Sequence, residues 1–131
     1  MPDLATRTLK DVLSEISLHE GYFHAEHLGP DGLVGVNTRG CAGDTPLHVM
    51  AWGNDTADAE ILLSSGADPN SIGDMGETPL HVAVHKENPS LIILLIKAGA
   101  EPNIVSERGE TAAAMAAKIG GPVAEALAGG T

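Results

Sequence analysis

Residues 76–103 read GETPLHVAVHKENPSLIILLIKAGAEPN, and residues 43–70 read GDTPLHVMAWGNDTADAEILLSSGADPN. The two segments share a cap-like opening, GD/ETPLHV, and a turn-like ending, GAD/EPN. Their threonines, Thr45 and Thr78, are 33 residues apart, and a third GET places Thr111 another 33 residues on. The asparagines run in step: Asn70 and Asn103 have the same spacing, and stepping back once more lands on Asn37 in GVN. Two independent markers on one period identify a repeat protein.

Each unit reads as a helical hairpin. The hydroxyls of Thr45 and Thr78 suit a helix N-terminus, and Pro46 and Pro79 stand at the first helical position, where no amide donor is missed. Short helices are predicted over 46–53 and 79–86. GNDTAD and KENPS then supply polar breaks. Second helices are predicted over 57–65 and 89–98, stopped by Gly66 and Gly99 in the left-handed conformation that glycine adopts freely.

These residues together resemble the ankyrin repeat. The resemblance covers residues 37 to about 128. It implies an all-α solenoid of helix–turn–helix units with short β-turn or hairpin fingers, closed by capping repeats at both ends. The division expected is 1–37 as N-terminal cap, 38–70 and 71–103 as full repeats, and 104–131 as C-terminal capping repeat. For His48 and His81 the resemblance implies a structural role, a hydrogen bond to the threonine and another to the neighbouring repeat's backbone. The third unit, GETAAAMAAKIGGPVAEALAGG, keeps Gly109 and Thr111 but has Ala-Ala-Ala in place of Pro-Leu-His. A terminal repeat has no neighbour to bridge, so the histidine has no purpose there. A short last helix is expected over 122–128.

Toward the N-terminus, Leu9, Val12, Leu13 and Ile16 follow i, i+3, i+4, i+7 and predict an amphipathic helix packing on the first full repeat. After it comes HEGYFHAEH, residues 19–27, with three of the six histidines. On one continuous helix Glu20, His24 and His27 would share a face and resemble a metal site. That face lies on the apolar side, however, and Gly21 falls one period before Asn54, so a break at Gly21 is expected instead. Tyr22 and Phe23 would then cover the end of the core. The spacing also misses the H-E-x-x-H zinc signature by one residue. No metal, no cofactor and no catalytic residue is predicted.

Composition narrows the function. Seven basic and 18 acidic side chains give a net charge of −11, which repels nucleic acid and anionic membrane. LIILLI at 91–96 is too short to span a bilayer. The opening residues lack the apolar region of a secretory signal, and the lone Cys41 fits a reducing compartment. A cytoplasmic monomer is expected.

The resemblance implies binding of a partner protein through the concave groove formed by the fingers and the first helices. Its variable contact positions fall on Arg39, Cys41, Ala42, Asp44, Trp52 and Gly53 in the first unit. In the second they are Ile72, Asp74, Met75, Glu77, His85 and Lys86, and in the third Val105, Glu107, Arg108, Glu110, Lys118 and Ile119. These positions hold five acids and four bases, and the remaining 13 acids and three bases lie elsewhere. On this count acidity serves solubility or long-range steering more than groove specificity. Trp52, the only tryptophan, is expected to anchor the partner beside Met75 and His85. The competing placement packs it under Tyr22 or Phe23. A second functional reading is a stoichiometric inhibitor or immunity-type protein that neutralises a basic toxin or enzyme.

Overall fold

The computed structural model describes residues 8–17, 35–40 and 43–129. These contain seven α-helices and no strand: α1 (Leu9–Ser17), α2 (Pro46–Trp52), α3 (Thr56–Ser64), α4 (Pro79–His85), α5 (Pro89–Lys97), α6 (Ala112–Ile119) and α7 (Gly121–Gly129). The pairs α2–α3, α4–α5 and α6–α7 are the hairpins expected from the period. They stack in two layers, first helices against first helices and second against second, while α1 packs on α3 and α2.

The starts follow from side-chain capping. His81 N–H donates to Thr78 Oγ1 at 3.4 Å, and Ala114 N–H donates to Thr111 Oγ1 at 3.0 Å. Asp55 and Asn88 cap the second helices through the N–H groups of Asp58 and Leu91, each at 3.2 Å. Pro46 and Pro79 open their helices as predicted, and Pro122 is the second residue of α7. At the far ends, Gly66 and Gly99 take φ of +99° and +101°.

A second left-handed series lies between the two helices of each unit. Asn54, Glu87 and Gly120 recur at the repeat period with φ of +57°, +49° and +71°. Asparagine and glycine tolerate this conformation, whereas a glutamate there is under strain.

One apolar cluster runs through the stack. Leu47, Leu62, Leu80, Leu91, Ile92 and Leu95 are fully buried within it, and small alanines at 51, 59, 83 and 112 let the helices approach closely. From α1, Val12, Leu13 and Ile16 complete the cluster, as their spacing predicts. The residues that would test the break at Gly21, the cover by Tyr22 and Phe23, and the histidines of 19–27 lie outside the described residues.

Asparagine side chains tie the turns together. Asn37 donates to the Gly66 carbonyl at 3.3 Å and accepts from Asp68 N–H at 2.9 Å. Asn70 repeats this with Gly99 at 3.1 Å and Glu101 N–H at 2.7 Å. Each amide therefore closes the helix end of the following unit, where carbonyls otherwise lack donors. The asparagine that marks the period is thus a joint between units.

Backbone strain predicts two opposite outcomes in thermal or chemical denaturation. Gly99→Ala is expected to cost about 1–2 kcal/mol, because alanine resists the left-handed conformation although nothing crowds its methyl group. Glu87→Gly is expected to gain roughly 0.5–1 kcal/mol by releasing the same kind of strain.

Candidate functional site

The fingers precede each threonine and are built as tight turns. Gly40 N–H donates to the Asp44 carbonyl, Gly73 N–H to that of Glu77 and Ser106 N–H to that of Glu110, each at 2.8 Å. In the middle finger Met75 and Gly76 have φ of +60° and +69°, and Glu77 N–H closes on the Asp74 carbonyl. Two consecutive positive φ angles are those of a type I′ turn, in which methionine is an uncommon occupant.

Neighbouring fingers are linked. Asp74 N–H donates to Asp44 Oδ1 at 2.9 Å, and Glu107 N–H donates to the Met75 carbonyl at 3.0 Å. The Arg39 guanidinium donates to the carbonyl oxygens of Gly43 and Ile72. Gly73 sits where Asp44 leans across: a methyl group there would lie 2.3 Å from Asp44 Oδ1 and 2.8 Å from His48 Nε2.

Beneath the fingers, each histidine spans two units. Thr45 N–H donates to His48 Nδ1 at 3.1 Å, so Nδ1 is the acceptor and the proton sits on Nε2. Nε2 then donates to the Glu77 carbonyl at 2.8 Å. His81 does the same, accepting from Thr78 N–H at 3.0 Å and donating to the Glu110 carbonyl at 3.1 Å. Both imidazoles are buried. Burial pushes the His48 pKa below 6.5, although the Glu77 carbonyl and the Asp44 carboxylate pull the other way. Both histidines therefore have the bridging role that the TPLH resemblance implies.

Between fingers and first helices lies a cleft of about 330 Å³, lined by Trp52, Met75, His85, the carboxylates of Asp44, Asp74 and Glu77, and Arg108. Trp52 is 45% exposed and stacks on His85, with ring centroids 6.0 Å apart and planes 11° from parallel. His85 Nε2 lies 2.7 Å from Glu77 Oε2.

The remaining contact positions divide by environment. Ile72, Val105 and Ile119 are exposed, as are Lys86 and Glu107. Lys118 reaches to 3.6 Å from Glu110 at the rim, an exposed pair of little energetic weight. Glu77 is only 7% exposed, with its Oε2 held by His85. Arg39 is committed to two backbone carbonyls. Cys41 and Ala42 lie outside the described residues. Among the described residues no cluster of three or more His, Cys, Asp or Glu side chains is placed to hold a metal ion. Nor is any helix among them long and apolar enough to cross a membrane.

A family model of three ankyrin repeats matches residues 26–106, well over half of the chain. The chain belongs to the ankyrin repeat family. Ankyrin repeats are generally protein–protein interaction modules, typically without enzymatic activity. No curated protein matches the chain.

Two measurements probe the histidine joints of this ankyrin stack. His81→Ala is expected to destabilise by about 1–3 kcal/mol, because it leaves the buried Thr78 N–H and the part-buried Glu110 carbonyl without their partner. For His48 the lowered pKa sets the sign: the unfolded chain takes up the proton first as pH falls. Its contribution is whole above pH 6.5 and is lost as pH drops from there toward the folded value. Denaturation midpoints at pH 7.5 and 5.5 should therefore differ more in the native chain than in His48→Gln. Equal differences would show that His48 is not the group responsible.

Proposed function

We propose that this ankyrin domain binds a partner protein through the face formed by its fingers and first helices, with Trp52 as the anchor. One observation carries the reading. Among the described residues the exposed large hydrophobics are Trp52, Ile72, Met75, Val105 and Ile119, and all five lie on the fingers or at the ends of first helices. None lies on α3, α5 or α7, which leaves the opposite layer without large exposed apolar side chains. Scattered exposed apolar groups are ordinary, but their confinement to one face points to a contact surface.

The strained Met75 supports the same face. A left-handed methionine at a turn tip costs on the order of 1 kcal/mol, and strain of this kind persists where a side chain has work to do. The proposed division of labour keeps residues 38–70 and 71–103 as the central units, with 1–37 and 104–131 flanking them. Asp44, Trp52, Asp74, Met75, His85 and Arg108 form the centre of the contact. Ile72, Lys86, Glu107, Glu110 and Lys118 form its surround, and Trp52 and Met75 supply the apolar part of the centre.

Trp52→Ala tests the reading. Removing such an anchor is expected to weaken capture of the native partner by at least about 2 kcal/mol, about thirtyfold. The melting temperature should hardly change, because the indole is half exposed. Quantitative pull-down and thermal melts on the two proteins side by side measure both. Undiminished capture would move the binding site off this face, and a large loss of stability would make Trp52 a structural residue.

A further inference from the structure

The cleft beneath Trp52 has a chemical preference that the whole face lacks. Across all the contact positions acids and bases nearly balance. Within the cleft they do not: Asp44, Asp74 and Glu77 face Arg108 alone among the arginines and lysines. Arg39 is turned to backbone carbonyls and Lys118 to Glu110.

Glu77 is the group that gives this imbalance a point of attachment. It lines the cleft and is more than nine-tenths buried. One oxygen, Oε2, is held by His85 at 2.7 Å, whereas Oε1 has no hydrogen-bond partner among the described residues. The oxygen is not sealed in the core, since no buried side-chain oxygen there lacks a partner. A carboxylate oxygen fixed in a low-dielectric recess and open on one side attracts a cation more strongly than the same group in water. The Trp52 indole lines the same cleft, with one face stacked on His85. Aromatic faces attract guanidinium and ammonium groups. Met75 lines the cleft as well, and its thioether side chain suits contact with the apolar stem of a long side chain. At about 330 Å³ the cleft is at the small end of ligand sites, a size for one side chain.

We propose that this cleft receives a single cationic side chain, arginine or lysine, presented by the partner protein. Its charge meets Glu77 Oε1 and the Asp74 carboxylate, and its stem lies between Trp52 and Met75. The inference rests on the finger-and-first-helix reading above. The net charge of −11 adds long-range attraction for a cationic segment.

Because Trp52 is the only tryptophan, its fluorescence reports directly on the cleft of the full chain. The probes are the peptides acetyl-Gly-Gly-Xaa-Gly-Gly-amide with Xaa as arginine, lysine or citrulline, the last a neutral isostere of arginine. The arginine or the lysine peptide should give a saturable change, and the tighter of the two names the side chain. The citrulline peptide should bind about tenfold more weakly or not at all. Asp74→Asn and Glu77→Gln, each shown by circular dichroism to melt cooperatively, should weaken the cationic peptide by several-fold or more. Equal affinity for citrulline, no saturable response to any peptide, or unchanged affinity in both folded variants would overturn the proposal. If it falls while Trp52→Ala still abolishes capture of the partner, the face stands and only its cationic specificity is lost. If Trp52→Ala leaves capture intact, the face itself is wrong.

Discussion

One imidazole between two units is the interaction on which the rest of the architecture depends. His48 receives the amide of its own helix cap on Nδ1 and delivers its Nε2 proton to the Glu77 carbonyl of the next finger. A single side chain thereby caps a helix, fixes the base of a finger and sets the offset between neighbours. The neutral ring is essential, because a proton on Nδ1 would oppose one donor to another. His81 repeats the joint one unit on. Apolar burial supplies most of the driving force, but it is non-directional and could be satisfied by several registers of one hairpin on the next. The imidazoles and the asparagine amides choose among those registers.

Most of this was legible in the residues because each motif encodes a local backbone requirement. Thr-Pro announces a helix start, and Gly66 and Gly99 announce the stops. The helix boundaries fall within a residue of those expected. The left-handed position between helices was readable at Asn54 and Gly120 but hidden at Glu87, whose side chain gives no hint of positive φ. Placement of Trp52 beside His85 followed from the period, since residues one repeat apart become neighbours in a stack. The division of the groove charges did not. Asp44 and Glu77 occupy the same position in successive units, yet Asp44 turns to the amide of Asp74 and Glu77 turns to His85. One methylene of reach and the presence of a histidine at the end of α4 separate the two fates. A residue count cannot register that difference.

The cleft also shows how a repeat array acquires individuality. Its scaffold is common to every unit, and its lining comes from positions the scaffold leaves undetermined. Trp52 of one unit, Met75 and Glu77 of the next and Arg108 of the third meet there. No unit holds the site alone. Stacking order, more than the content of any repeat, creates the chemical environment.

The cross-unit hydrogen bonds described above share a further property. His48 to Glu77, Asn37 to Gly66 and Asp68, and Asp74 to Asp44 each connect residues 29 to 31 positions apart, so each joins adjacent units. A chain wired in this way behaves as a row of coupled springs. Tension applied at its ends would pass in full through each serial joint, so the weakest parts before its neighbours do. Such a row yields stepwise under load and recovers by zipping from whichever pair closes first, with no distant contact to wait for.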